Sequence, residues 1–105
     1  MFIKDNDAKR IQFVTSKNLE GPWTLINNNI TPEFICEGPT SVKIGDYYHV
    51  YFERNYENLM GLIRSKDLVH WEDYTSHIVF PPHAKHGTVF KVTPELVKLI
   101  SNAGL

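Results

Sequence analysis

Apolar and polar residues alternate with the two-residue period of β-strands in several short segments of this chain. Residues 11–16 alternate in this way and are rich in β-branched and aromatic side chains. Residues 47–54 are too apolar for an exposed edge and predict an inner strand that is covered on both faces. Turn signals at Gly21-Pro22 and Gly45-Asp46 separate such segments. The pattern therefore predicts an all-β chain.

The same pattern gives the order of the elements. The predicted strands cover residues 2–3, 11–16, 23–26, 34–44, 47–54, 60–65, 71–74 with or without 78–80, and 86–92. Near the end of the sequence Thr93-Pro94 is typical of a helix start, with threonine as the cap and proline in the first helical position. Gly104 is a residue that can end such a helix. We expect one short C-terminal amphipathic helix.

The chain contains an internal repeat. Residues 16–23 recur as residues 65–71, and the offset is 49 at the serines and 48 at the tryptophans. Residues 40–44 recur as residues 88–92, again at an offset of 48. A unit of roughly 50 residues is typical of the four-stranded blades of β-propellers. The repeat predicts a partial β-propeller of about two four-stranded antiparallel blades, followed by the short helix.

The predicted propeller is incomplete. Its units are the end of one blade over residues 1–33, a complete blade over residues 34–82, and the inner strand of the next blade with the helix over residues 83–105. Because a propeller generally needs at least four blades, such an array cannot close into a ring by itself. Its open edges would pair with other chains. We expect either a homo-oligomer or a portion of a longer propeller.

Composition and charge exclude several classes of function. The chain has 105 residues, 42% hydrophobic and 22% charged, which is an ordinary globular composition with room for one small core. Its net charge of −1 provides no basic surface for nucleic acid or for an anionic membrane. Cys36 is the single cysteine, so neither an intrachain disulfide nor a zinc site of several thiolates can form. Residues 1–7 lack the apolar run of a secretory signal, which predicts a cytoplasmic location by default.

Several side chains are candidates for chemistry, and each has a structural alternative. Glu37 precedes Gly38-Pro39, which bends the chain and leaves a carboxylate at the entrance of a predicted hairpin; the alternative is that Glu37 only caps this bend. Glu53 and Arg54 end an inner strand, where they could line a cavity or merely pair with each other, and Tyr56 lies in the following turn, where it could reach a ligand.

Other residues favour structural interpretations. Trp23 and Trp71 hold equivalent places in the repeat, so we expect them to pack between blades. We expect Cys36 to be inert packing. His83 and His86 have a short spacing at which a metal could be chelated.

Three motifs together resemble a known family. The Glu37-Gly38-Pro39 motif, the Ser-x-Asp-Leu-x-x-Trp turn of residues 65–71 and the His86-Gly87-Thr88 strand resemble the later blades of five-bladed β-propeller glycoside hydrolases. The nearest match is family 43, which contains arabinanases, xylosidases and arabinofuranosidases. The resemblance covers nearly the whole chain but only about half of that catalytic domain. It implies a fragment related to enzymes that hydrolyse arabinose- or xylose-containing glycans, and such relatives are often secreted.

The resemblance also implies roles for individual residues. Glu37 matches the family's general acid, and an axial cavity would raise the pKa of its carboxyl group by desolvation. His86 matches a histidine that lines this cavity, in arabinanases near a bound calcium, so it is a candidate for substrate binding and for a metal site. Arg54 and Tyr56 are further candidates for substrate binding.

The sequence departs from the family at the catalytic base. The base is an aspartate of the first blade, usually followed by proline, and this chain contains no Asp-Pro pair. We therefore expect the chain to be incomplete for catalysis by itself. The alternative is a non-catalytic carbohydrate-binding or oligomerisation module.

Overall fold

The computed structural model describes residues 1–27, 29–54 and 59–104. This part of the chain forms seven strands, one short 3₁₀-helix and one α-helix. They are β1 (Phe2–Lys4), β2 (Ile11–Thr15), β3 (Thr24–Asn27), β4 (Cys36–Ile44), β5 (Tyr47–Arg54), β6 (Leu59–Ser65), β7 (Glu72–Asp73), the 3₁₀-helix (Thr75–His77) and α1 (Pro94–Asn102). The all-β fold class with a short C-terminal helix is confirmed.

The strands form two antiparallel sheets in which consecutive strands are neighbours. Sheet 1 has the order β1-β2-β3, and sheet 2 has the order β4-β5-β6-β7. The four strands predicted for residues 34–82 are all present, and β5 has the predicted bounds. The last of them, β7, is only two residues long and exposed. The predicted extension over residues 78–80 is wrong, because these residues are not in a strand.

The strand pairings obey the sequence repeat. Val14 pairs with Leu25 in sheet 1, and their counterparts one repeat later, Ile63 and Asp73, pair in sheet 2. In the same way Ile3 pairs with Gln12, and their counterparts Phe52 and Gly61 pair in sheet 2. The strands β1, β2 and β3 are therefore the counterparts of β5, β6 and β7.

The hydrophobic core lies between the two sheets. Its buried members come from both sides and are Ile11, Phe13, Ile30, Cys36, Val50, Phe52 and Ile63. Trp71 packs against this cluster and meets the ring of Phe2 edge to face, with ring centroids 5.6 Å apart. The sequence predicts that both Trp23 and Trp71 pack between units. This is confirmed for Trp71, whereas Trp23 is 41% exposed.

The C-terminal part of the chain differs from the prediction. Residues 86–92 belong to neither sheet, although their sequence repeats that of β4. A strand needs a partner for its ladder, and no described strand pairs with these residues. The radius of gyration, 15.0 Å, accordingly exceeds the roughly 13 Å of a compact domain of this size.

The predicted helix is present. The Thr93 side chain caps it by accepting a hydrogen bond from the Leu96 amide, and Gly104 follows its end with a left-handed φ of 74°. No residue of α1 is buried, and apolar Leu99 is 67% exposed. Within the described residues no helix has the length and apolar character needed to cross a bilayer.

Candidate functional site

The bend at Gly38-Pro39 is a β-bulge inside β4. The register between β4 and β5 shifts by one residue between Glu37 and Thr40, and Gly38 adopts a left-handed φ of 55° that favours glycine. Before the bulge, Glu37 lies directly opposite Glu53 of β5. Because directly opposed residues project to the same face of a sheet, two carboxylates meet at this end of sheet 2.

Glu37 is held by a lysine from the other sheet. Lys4 of β1 donates a hydrogen bond from Nζ to Glu37 Oε1, and the Glu37 side chain remains 27% exposed. This hydrogen bond is the main reason why the pKa of the Glu37 carboxyl lies below its usual value. The expected rise by desolvation is therefore wrong, because a cation from the neighbouring sheet outweighs partial burial.

Glu53 is almost fully buried, with its side chain only 3% exposed. Lys85 Nζ lies 3.9 Å from Oε1, and His86 Nδ1 lies 3.3 Å from Oε2. Within the described part of the chain, Oε2 has no partner with hydrogen-bond geometry. The sequence predicts that Glu53 lines a cavity or pairs with Arg54, and counting back from the Gly45-Asp46 turn with one bulge residue places it opposite Glu37.

His86 lies at the outer side of this cluster. Its side chain is 73% exposed and contacts the buried Glu53 carboxylate. Among residues 1–27, 29–54 and 59–104, however, no group of three or more His, Cys, Asp or Glu side chains could hold a metal ion. The structure thus brings His86 to Glu37 and Glu53 without assembling a metal centre from the described residues, and the calcium suggested by the resemblance stays a prediction.

The other candidates lie apart from this cluster. Arg54 is opposite Cys36, on the face of β5 away from Glu53, and its guanidinium stacks 4.0 Å above the Phe34 ring. Burial raises the pKa of the Cys36 thiol, which agrees with inert packing. Tyr56 lies outside the described residues.

A cavity of about 250 Å³ lies beside the carboxylates, on the face of sheet 2 that points away from the core. Its lining includes Thr40, Tyr51, Met60, Phe80 and His86. The Tyr51 and Phe80 rings meet edge to face with centroids 6.2 Å apart, and the Val89 amide donates a 3.1 Å hydrogen bond to Thr40 Oγ1. Residues 80–89 therefore cover part of this face.

The opposite end of sheet 2 carries the turn of residues 65–71. Ser65 Oγ accepts hydrogen bonds from the amides of Asp67 and Leu68 at 3.2 and 2.8 Å. Asp67 Oδ1 accepts bonds from the amides of Val69 and His70, and Asp67 Oδ2 lies 2.6 Å from His70 Nδ1. These contacts, above all the one to the His70 ring, hold the pKa of the Asp67 carboxyl far below its usual value.

The turn motif therefore has a structural explanation. In the first copy of the repeat, the Asn18 amide bonds to Ser16 Oγ at 3.2 Å, as the Asp67 amide does to Ser65. Beside the second turn, the Arg64 guanidinium lies 4.0 Å from the Tyr47 ring centroid and 3.6 Å from that of Tyr74. The Ser65 and Asp67 side chains make their hydrogen bonds within the turn, whereas Trp71 Nε1 is buried with no partner among the described residues. The serine and aspartate of the motif therefore stabilise a turn.

Comparison with known proteins gives no relative for this chain. No model of a protein family, no curated protein and no solved structure matches it. The features that indicate a function are the geometry of the carboxylate cluster and the resemblance of the motifs.

Proposed function

We propose that this chain is a carbohydrate-binding portion of a propeller related to family 43 glycoside hydrolases, and that it does not hydrolyse glycosides by itself. The observation that carries the proposal is the placement of Glu37 directly opposite Glu53, with His86 beside them. Carboxylates and imidazoles at a partly open sheet edge are groups that can bind the hydroxyls of a sugar.

The charge state of Glu37 favours binding over proton donation. A general acid must carry a proton at the working pH, but the Lys4 ammonium lowers the pKa of Glu37 and keeps it ionised. An ionised carboxylate is an acceptor only, which suits hydrogen bonds from hydroxyl groups. Companion blades would have to draw Lys4 away before Glu37 could act as the general acid that the resemblance implies.

Calorimetric titration with arabino- and xylo-oligosaccharides tests the binding site. We expect measurable heat with the wild-type protein and an affinity about tenfold lower for Glu37→Gln, because one charge-assisted hydrogen bond is lost. Glu20→Gln is the matched control, since Glu20 is exposed and lies outside the cluster. The absence of heat across both sugar series would refute the proposal.

Hydrolysis is measured separately with aryl arabinosides and aryl xylosides. We expect the isolated chain to give background rates, because the Asp-Pro motif of the family's catalytic base does not occur in its sequence. Turnover above background that disappears in Glu37→Gln would contradict the non-catalytic assignment and would restore Glu37 as a general acid.

A further inference from the structure

The two ion pairs of the carboxylate cluster occupy equivalent positions of the repeat. Glu53 is the counterpart of Lys4 one repeat later, and Lys85 is the counterpart of Glu37. Lys4 pairs with Glu37, and Glu53 contacts Lys85. Each pair thus joins the strand β1 or its counterpart β5 to the segment that begins the next unit, and the signs of the two charges are exchanged.

The backbone after sheet 2 also follows the repeat. His86 is the counterpart of Gly38, and both residues are left-handed, with φ of 40° and 55°. Thr88 is the counterpart of Thr40, and the amide next to it, that of Val89, bonds to Thr40 Oγ1. Residues 85–89 therefore start like the bulged strand β4 and lie beside it, yet they belong to neither sheet.

Sheet 1 has the complementary gap. Its strands correspond to β5, β6 and β7, and none of its described strands corresponds to β4. The edge of β1 that faces away from β2 pairs with no described strand. One chain therefore has two unpaired parts among its described residues. One is a segment with the sequence of an inner strand, and the other is the edge of β1 at the position where an inner strand belongs.

We propose that residues 85–89 of one copy pair with the free edge of β1 in a second copy, so that copies assemble head to tail. The repeat fixes the register. Thr40 lies opposite Tyr51, so Thr88 lies opposite Phe2, and Lys85 lies opposite Lys4 as Glu37 lies opposite Glu53. This is strand addition to a sheet edge, in which the backbone hydrogen bonds of the two strands supply the contact.

The register of the repeat, rather than charge, indicates a second copy as the occupant, because the charge contact formed between copies sets Lys4 opposite Lys85. In the assembled state the opposed Lys4 and Lys85 would lie between the carboxylates of the two flanking sheets. Each lysine keeps the glutamate partner that it has within its own chain, Glu37 for Lys4 and Glu53 for Lys85. The carboxylate pair of one sheet and the lysine pair of the next therefore alternate around the assembly and offset each other's repulsion.

The face of sheet 2 that points away from the core supplies an apolar contact. Tyr51 and Met60 line its cavity, and they are the counterparts of Phe2 and Ile11, which pack in the core. Ile11 belongs to the core cluster that contains Phe52, and Phe2 packs against this cluster. The counterpart of Phe52 is Ile3, so Ile3 of the second copy would approach the cavity beside Tyr51.

The assembly has a definite consequence for closure. Each copy supplies the three strands of sheet 1, the four strands of sheet 2 and one donated segment, which together make two four-stranded sheets. A closed ring of copies then has an even number of sheets, four from two copies or six from three. The five-bladed ring of the resembling family cannot form from copies alone. The assembly involves the same carboxylate cluster and the same propeller repeat as the proposed function, but it does not depend on sugar binding.

Cross-linking between differently tagged copies tests the contact. A Lys4→Cys copy is mixed with a Lys85→Cys copy and treated with a short bismaleimide, while Cys36 is fully buried. We expect a heterodimer that joins the two tags. The matched control mixes Lys4→Cys with Lys66→Cys, which lies in the turn at the opposite end of sheet 2 and should give little product. Equal yields from the two mixtures would overturn the proposal.

Mass in solution gives a second measurement that does not depend on sugar binding. Light scattering of the wild-type protein should give two or three times the chain mass of 12.2 kDa. Thr88→Pro should give a monomer with unchanged β-structure, because Thr88 is exposed and outside the sheets and proline cannot donate to the new ladder. A wild-type protein that keeps the mass of a single chain over the micromolar range would refute the assembly.

Discussion

The two ends of sheet 2 treat their charged groups in opposite ways. At the turn of residues 65–71, Asp67 is bonded by two backbone amides and the His70 ring, all of which belong to the turn itself. At the other end, about 20 Å away along β5, Glu37 and Glu53 face each other and their cations come from outside the sheet. The Asp67 carboxylate makes its hydrogen bonds within the turn and stabilises it. Glu53 Oε2, by contrast, is buried and has no hydrogen-bond donor among the described residues, so it needs a further explanation.

The same difference distinguishes the motif that stabilises the fold from the residues that could bind a ligand. The serine and aspartate of the Ser-x-Asp-Leu-x-x-Trp motif make their hydrogen bonds within the turn, so the motif can recur in any sheet that needs this turn. The carboxylate end requires Lys4, the bulge at Gly38 and residues 85–86 together, which come from three separate segments. A ligand or a second copy that binds at this end can therefore change the free energy of these contacts.

The largest expected effect is at the turn end, where Trp71 connects the two sheets. Trp71→Ala should lower the free energy of unfolding by about 3 kcal/mol, because the ring packs against the core and the edge of Phe2. Chemical denaturation measures this loss. Trp23→Ala changes the equivalent position of the repeat, where the ring is 41% exposed, and should cost about 1 kcal/mol or less. Similar losses from both variants would contradict the assignment of Trp71 to the interface between the sheets.

The next effect is the pH dependence that Asp67 gives to the turn. Its pKa is depressed in the folded state, so its contribution to stability is present above the unfolded pKa of about 4 and is lost as the pH falls through the folded value. Asp67→Asn should lower the melting temperature at pH 7 and should flatten its fall between about pH 5 and pH 2. Thermal unfolding monitored by circular dichroism over this pH range measures both effects.

The equivalent turn supplies the control for Asp67. Asn18→Ala alters the first copy of the turn without removing a carboxylate, so it should keep the acid dependence of the wild-type protein. If Asp67→Asn also kept the full acid dependence, the low pKa of Asp67 would not be the source of the stability of this turn.

Local sequence signals predicted most of the fold. The Gly45-Asp46 turn and the apolar run after it gave β5 with its observed bounds, and the repeat gave the correspondence of the two sheets. Residues 86–92 were predicted to form a strand but belong to neither sheet. Apolar alternation shows which faces of a segment are apolar, but it does not show whether a neighbouring strand is available for pairing.

The candidate site was less predictable for a similar reason. The position of Glu37 at a bend followed from Gly38-Pro39, and its opposition to Glu53 could have been counted from the hairpin. The Lys4 contact could not, because it depends on how sheet 1 packs against β4, and this contact reverses the direction of the pKa shift of Glu37. Tertiary contacts between charged groups decide protonation, and the local sequence does not contain them.

The smallest expected effect is that of Glu53→Gln, and the sign of its stability change distinguishes the two ends of sheet 2. Glu53→Gln keeps the size of the side chain and removes one of two opposed carboxylates, so it should change the free energy of unfolding by less than about 1 kcal/mol, toward greater stability. Chemical denaturation at pH 7 measures this change. Loss of Asp67 destabilises its turn, so opposite signs for the two substitutions would show that Glu53, unlike Asp67, holds its charge at a cost to the fold. A marked destabilisation by Glu53→Gln would instead mean that Lys85 and His86 satisfy Glu53, and that this end is as structural as the turn.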